Sequence, residues 1–180
     1  MEPLSTRLTT SRDGVRFLER LGATQWLVRH HELVVEAAVV LCDRIARELR
    51  VAFDRDAVLL GAALHDAGKI VHPEEMSGPG NQHEAAGRKL LIDHGAPAAV
   101  ARFCVTHASW DAADCTLEDQ LVALADKVWK GKRDHALEQL LVMRIAAATN
   151  QEAWAVFDRI DAICESIAAE GPARLARSAL

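Results

Sequence analysis

A histidine and an aspartate, His65 and Asp66, end a run of small apolar residues, GAALHDAGK over 61–69. Such a run is typical of a helix that packs closely inside a protein. An unsatisfied polar group costs roughly 2–7 kcal/mol when it is buried, and a carboxylate costs more. The pair therefore predicts that something binds these two side chains.

Further polar residues fall on the apolar stripes of predicted helices and would point inward. They are His30, His83, His107 and Asp126. Each is spaced by three, four or seven residues from apolar positions, as Asp126 is from Val122 and Trp129. Several inward polar groups from separate helices call for a common partner. Imidazole nitrogens and carboxylate oxygens, with no thiolate, suit Fe, Mn, Co, Zn or Mg, so we predict a divalent metal site.

The order of these residues, H…HD…H…H…D, resembles that of the HD-domain superfamily of metal-dependent phosphohydrolases. An HD dipeptide by itself is a weak signal. The ordered set is much more specific, because HDAGK follows a buried helix and ALADK lies in a later one. The resemblance covers about residues 25–133 and implies a compact, all-α, multi-helix HD-domain fold with a metal site at its centre.

The resemblance also implies a ligand set. In the superfamily, the first His, the HD pair and the last Asp hold one metal. Members with two further histidines hold a second metal, bridged to the first by the HD aspartate. The matching residues here are His30, His65, Asp66 and Asp126 for the first metal, and Asp66, His83 and His107 for the second.

The first ligand has two candidates, since His30 and His31 both lie near the apolar side of their helix. The family pattern has Val four positions and a small residue eight positions after the ligand. His30 is followed in this way by Val34 and Ala38, whereas His31 has valine at both positions. The pattern favours His30.

The implied activity is hydrolysis of a nucleotide or another small phosphate ester or anhydride by a metal-activated hydroxide. Asp66 would bridge the metals and orient the hydroxide. Lys69 would bind a phosphate oxygen, or is simply a solvated lysine at a helix end. The nearest pattern is that of HD-type diadenosine tetraphosphate hydrolases, which share an H-x-x-x-G, a later H and an A-D pair.

Two related subfamilies fit less well. The chain has no tyrosine, so it lacks the GYP motif of cyclic-di-GMP phosphodiesterases, and HDAGK differs from the HD-x-x-E-D of alarmone hydrolases. Two other functions stay open. Some HD-fold proteins with the same ligands are di-iron oxygenases, and a non-catalytic HD domain would bind its ligand without turnover.

The elements that must position these residues are predicted to be helices, with no alternating strand pattern. They cover 11–21, 25–49, 56–66, 82–94, 97–108, 117–130, about 134–148 and 151–169. Thr24 is the expected cap of the second helix, and Asp54 or Asp56 that of the third. Residues 1–10 look loose. The loop 71–82, rich in Pro and Gly, could cover the site.

Length and composition indicate a single domain over 1–180, with the HD core at about 25–133 and a helical extension at 134–180. The net charge of −5 argues against nucleic-acid binding, although Lys127, Lys130, Lys132 and Arg133 could guide an anionic substrate. No apolar run is long enough for a membrane span and no secretory segment begins the chain, so we expect a cytoplasmic protein.

The remaining expectations concern the surface and the thiols. The four cysteines form no C-x-x-C pair and are expected to be reduced and packed. His72, His94 and His135 are expected on the surface, and Trp110 either walls the site or packs. The last two predicted helices, with Trp154 and Phe157 on one face, either close the core or form the interface of a homodimer.

Overall fold

A computed structural model describes residues 8–179, which form an all-α fold with no β-strand among them. The α-helices are α1 (Ser11–Arg20), α2 (Gln25–Leu49), α3 (Arg55–Ala62), α4 (Gln82–Asp93), α5 (Ala98–Ala101), α6 (Phe103–Thr106), α7 (Leu117–Val128), α8 (His135–Thr149), α9 (Ala153–Ala169) and α10 (Gly171–Ser178). Short 3₁₀ helices cover Ala67–Ile70 and Pro73–Met76. The all-α prediction is confirmed. Most of the predicted loose segment, residues 1–7, lies outside the described residues.

The helix starts follow from side-chain caps. The hydroxyl of Thr24 accepts a hydrogen bond from the N–H of Leu27 at 3.3 Å, and α2 covers the predicted range. Of the two candidates for the third helix, Asp54 is the cap, since its carboxylate accepts from the N–H of Ala57 at 3.0 Å. These helix starts were predictable because each capping bond joins residues only three positions apart.

Two predicted helices differ from the structure. The third ends at Ala62 and not at Asp66, because the N–H groups of Leu64 and His65 both donate to the carbonyl of Gly61 in a tightened turn. The predicted helix 97–108 is interrupted at Arg102, which separates α5 from α6 but keeps helical dihedral angles. The HD pair thus lies in a turn after α3.

The helix α10 is missing from the sequence prediction. Pro172 closely follows the last predicted helix, but proline is tolerated in the first turn of a helix because the N–H groups there have no intrahelical partner. Arg174 is buried, and its guanidinium donates to the carbonyl of Ile167 and to the carboxylate of Glu36 on α2. These bonds fasten α10 to the rest of the fold.

Two clusters of buried apolar residues meet beside the HD pair. The larger is built mainly from α2, α7, α8 and α9, and the smaller mainly from α1, α3 and the segments that follow it. Ala62 belongs to the larger cluster and Ala63 to the smaller. The HD pair follows directly, so it lies where both clusters support it.

The last long helices close the core, as one of the two predictions had it. Ile145 of α8 and Ile163 of α9 belong to the larger cluster. Trp154 and Phe157 nevertheless remain 69% and 48% exposed, so the homodimer stays a prediction. All four cysteines are buried and free, as expected. In the described part of the chain, no helix combines the length and the apolar character needed to cross a membrane.

Candidate metal centre

The structure brings all the predicted metal ligands to one place from separate elements. His30 comes from α2, His83 from the start of α4 and Asp126 from α7. His65 and Asp66 lie in the turn after α3, and His107 ends α6. Five of the six residues are buried and Asp126 is partly buried, so the polar residues on apolar stripes point inward.

The carboxylate of Asp66 lies at the centre, with one oxygen toward each half of the cluster. Its Oδ2 lies 3.3 Å from Nε2 of His30 and 3.6 Å from Nε2 of His65. Its Oδ1 lies 3.2 Å from Nε2 of His83 and 3.5 Å from Nε2 of His107. Asp126 completes the first half, with Oδ1 at 3.4 Å from Nε2 of His65.

These distances suit two metal sites that share one carboxylate. Atoms that bind one ion at about 2.1 Å with angles of about 90–109° lie about 3.0–3.4 Å apart. Two groups at this cluster contain Asp66 and have ligand atoms that all lie within 4.8 Å of one another: His30, His65, Asp66 and Asp126 form one, and Asp66, His83 and His107 form the other. Both groups could hold a metal ion.

In three of the rings, a contact of the outer nitrogen, Nδ1, fixes the direction of the inner nitrogen, Nε2, which faces the cluster. Nδ1 of His65 lies 3.0 Å from the carbonyl of Ala62, and Nδ1 of His107 lies 3.0 Å from that of Phe103. Nδ1 of His83 faces the Glu75 carboxylate. Carbonyls and carboxylates only accept, so each Nδ1 carries the hydrogen and each Nε2 can direct a lone pair inward.

The inner nitrogens lack suitable partners within the chain. Nε2 of His30 and Nε2 of His65 are buried, and neither has a hydrogen bond to any residue in 8–179. A lone pair that faces a carboxylate is repelled unless a proton or another cation lies between them. The chemistry of this donor set therefore fits a divalent metal.

The pKa shifts of His30, His107 and Asp66 agree with metal-ready ligands. The nearby carboxylates outweigh burial at the other two rings: Asp66 and Asp126 raise the pKa of His65, and contact with Asp66 raises that of His83. Burial lowers the pKa of His30 and lowers the pKa of His107 to about 4, so both imidazoles are neutral near pH 7. Burial alone would raise the pKa of the Asp66 carboxyl, but the imidazoles of His65, His30 and His83 around it hold this pKa well below its usual value. Neutral imidazoles and ionised carboxylates are the forms that bind metals.

The structure separates the two histidines that the sequence left as alternatives. Nε2 of His30 faces the Asp66 carboxylate, whereas Nδ1 of His31 lies 3.0 Å from the carbonyl of Ala62. His31 is fully buried and its Nε2 has no partner. It can join a group with His30 and His65, but that group contains no carboxylate.

Gly68 of the HDAGK stretch allows α4 to approach the HD pair. A Cβ atom at Gly68 would lie 1.7 Å from the carbonyl oxygen of His83 and 2.6 Å from the amide nitrogen of Gly87. The backbones of the 3₁₀ helix after the HD pair and of α4 thus contact one another directly. This contact brings His83 within reach of Asp66.

A cavity of about 210 Å³ opens over the cluster, and Lys69, Lys127, Lys130 and Glu84 line it together with residues of the cluster. Nζ of Lys69 lies 2.6 Å from Oδ2 of Asp66. A larger cavity of about 900 Å³ between the ends of α2 and α8 contains no His–Asp cluster, so we place the site in the smaller one.

Other predicted site features lie elsewhere. Arg133 is engaged by Glu138, Asp161 and Glu165, so it does not face the cavity. Trp110 packs against the larger core cluster. The expected surface histidines are exposed at positions 94 and 135, whereas the one at position 72 is half-buried.

Glu75 is the residue at the site that the sequence analysis missed. It lies in the loop 71–82, and its carboxylate contacts the ring of His83. An acidic residue in a loop rich in Pro and Gly is usually solvated, and no local pattern distinguishes this one. The contact joins residues eight positions apart, so only the folded loop reveals it.

Comparison with protein families decides the classification. The family model of the HD domain matches residues 27–129, which include every residue of the cluster. The chain belongs to the HD-domain family. HD domains form a superfamily of metal-dependent phosphohydrolases, and they bind divalent metals. Searches of curated proteins and of solved structures find no significant match.

Proposed function

We propose that this HD domain is a phosphohydrolase that holds two divalent metals and cleaves a nucleotide or another small phosphate ester or anhydride. The observation that carries the proposal is the placement of Asp66, whose two carboxylate oxygens face two separate groups of imidazoles. His30, His65, Asp66 and Asp126 would hold one ion. Asp66, His83 and His107 would hold the other.

The metals would supply the reactive chemistry of this site. Bound divalent cations acidify coordinated water and withdraw negative charge from phosphoryl oxygens. The chain's own part is to hold the imidazoles of His30 and His107 neutral, to keep both carboxylates ionised and to orient each Nε2 inward. Fe, Mn, Co, Zn and Mg are the candidate ions.

The lysines around the cavity would bind the substrate. Lys69, Lys127 and Lys130 line the cavity, Lys69 is paired with Asp66, and the charge of Lys130 acts on Asp126. A phosphoryl group in the cavity would find cations there in an otherwise acidic chain. Lys69 is bonded to Asp66 and would turn toward a phosphate oxygen when substrate is present.

The size of the cavity supports a small anionic group. Pockets that bury a drug-sized ligand measure roughly 300–1,000 Å³. The cavity here measures about 210 Å³, which suits a phosphate group but not a whole nucleotide. A nucleoside or sugar would therefore extend over the rim. Diadenosine tetraphosphate is one candidate of this kind, because the H-x-x-x-G and A-D elements resemble those of its HD-type hydrolases.

The direct test is a screen for phosphate release under anaerobic conditions. Protein loaded with Mn, Fe, Co or Mg would be offered nucleoside phosphates, dinucleoside tetraphosphates and sugar phosphates. We expect metal-dependent hydrolysis of at least one substrate without oxygen. Turnover that requires oxygen would instead show an oxygenase, and tight binding without turnover would show a ligand-binding domain.

Substitution of His30 and His31 separately should distinguish a ligand from its neighbour. We expect His30→Gln to weaken metal binding by about 100-fold or more, since even residues that only support a ligand contribute 10–100-fold. His31→Gln should keep metal affinity within about tenfold but destabilise the fold by about 1–3 kcal/mol, because it buries an unpaired amide. Metal titration and thermal melting measure both effects. The reverse ranking of metal affinities would contradict the assignment of His30.

A further inference from the structure

Glu75 is buried although it belongs to the loop between the HD pair and α4. Only 7% of its surface is exposed. Its carboxylate accepts three hydrogen bonds: from the N–H of Gln82 at 3.0 Å, from the N–H of His83 at 3.1 Å and from Nδ1 of His83 at 2.5 Å. The loop is thereby tied to the first turn of α4.

The backbone of the loop encloses this carboxylate. A Cβ atom at Gly80 would lie 2.4 Å from the carboxyl carbon of Glu75, so the chain passes close to it. Asn81, the residue before α4, makes no side-chain capping bond. The carboxylate of Glu75 thus caps the N-terminus of α4, although it lies several residues before that helix. The same carboxylate orients the ring of His83, the second residue of α4.

The Nδ1 atom of His83 contacts a charged group, unlike the Nδ1 atoms of His65 and His107. The outer nitrogens of His65 and His107 donate to neutral backbone carbonyls. That of His83 donates to a carboxylate. A carboxylate on the outer nitrogen of an imidazole sets the tautomer and makes the inner nitrogen a stronger metal ligand.

We propose that Glu75 is a positioning residue for His83, through which the loop 71–81 controls the metal site formed by Asp66, His83 and His107. This inference rests on the proposed two-metal function. In the described part of the chain, the hydrogen bonds of Glu75 go to Gln82 and His83, and neither belongs to the other group of His30, His65, Asp66 and Asp126. Loss of Glu75 therefore weakens one site selectively.

The test is the variant Glu75→Gln, which keeps the size of the side chain but offers one acceptor oxygen in place of two. We expect the affinity for the second metal to fall by about 10–100-fold, while the first metal is retained. Metal analysis after dialysis gives the stoichiometry. With Mn²⁺, electron paramagnetic resonance distinguishes a coupled pair of ions from a single one.

The matched control is Glu74→Gln, at the adjacent position. Glu74 is exposed and pairs with His72, so its variant should bind two metals as the wild type does. The double variant Glu75→Gln/His83→Gln should be no worse than His83→Gln alone, because Glu75 acts through that ring. Melting of the metal-free proteins separates this effect from a general loss of structure.

Several results would overturn the inference. If Glu75→Gln binds two metals with wild-type affinity, Glu75 does not position His83, although the two-metal proposal stands. If both metals bind more weakly to the same degree, Glu75 only stabilises the start of α4. A wild-type chain without a second metal would overturn the two-metal function as well. Should the variant not fold, nitrogen NMR of the metal-loaded wild type decides, since binding through Nδ1 of His83 would contradict the proposal.

Discussion

Asp66→Asn is expected to abolish both metal binding and hydrolysis. The carboxylate contacts ligand nitrogens of both groups, with His30 and His83 at 3.3 and 3.2 Å. An amide lacks the negative charge and offers a single oxygen, so it cannot serve two cations. Metal ions contribute several kcal/mol to such reactions and each 1.36 kcal/mol is tenfold in rate, so we expect a loss of at least about 10³-fold.

The same variant gives a readout that does not depend on activity. A metal at 100 times its dissociation constant stabilises a folded protein by about 2.7 kcal/mol, and 1 kcal/mol corresponds to about 2–4 °C in a chain of this size. We expect metal to raise the melting temperature of the wild type by about 5–11 °C. The shift should vanish in Asp66→Asn.

The control for this variant is Asp158→Asn on α9, where the carboxylate is exposed and far from the cluster in sequence. It should keep the metal-induced shift and the activity. The metal-free form of Asp66→Asn should still melt cooperatively, because the change removes a buried charge and keeps the shape. A full metal-induced shift in Asp66→Asn would contradict the central role of this residue.

Gly68→Ala is expected to damage both the fold and the second metal site. The added Cβ would meet the carbonyl of His83 at 1.7 Å and the amide of Gly87 at 2.6 Å, and both are backbone atoms that cannot rotate aside. Overpacking of a core costs typically 1–3 kcal/mol, and we expect about 3 kcal/mol or more here. The melting temperature should fall by at least about 6–12 °C.

The displacement should also change metal binding. If α4 moves away from the 3₁₀ helix 67–70, His83 leaves Asp66, and the metal shared with His107 is lost first. Gly22→Ala is the control: its Cβ meets nothing within 4 Å, and only the positive φ of 87° is strained, at about 1–2 kcal/mol. Gly22→Ala should bind two metals. Equal effects of both variants would contradict the close-approach argument.

Much of the fold was predictable because its signals are local. The caps Thr24 and Asp54 lie directly before their helices, and the apolar stripe of α2 runs along its predicted length. The interruption at Arg102 and the early end of α3 were not predictable from the sequence. Both depend on which carbonyl accepts the hydrogen bond of each backbone amide. The helix α10 was missed because its stability comes from Arg174 and Glu36, which are far apart in the chain.

By itself, the sequence determined that the chain is helical, that His65, Asp66 and Asp126 point inward, and that their order matches the HD domain. Helical periodicity carries this information, since the face on which a residue lies depends only on its neighbours along the chain. Only the tertiary structure decided that His30 rather than His31 lies beside Asp66, because adjacent residues on one helix share the apolar side and differ only in what packs against them. The tertiary structure also decided the role of Glu75, since a hydrogen bond from a loop to a ring exists only after the two segments have packed together.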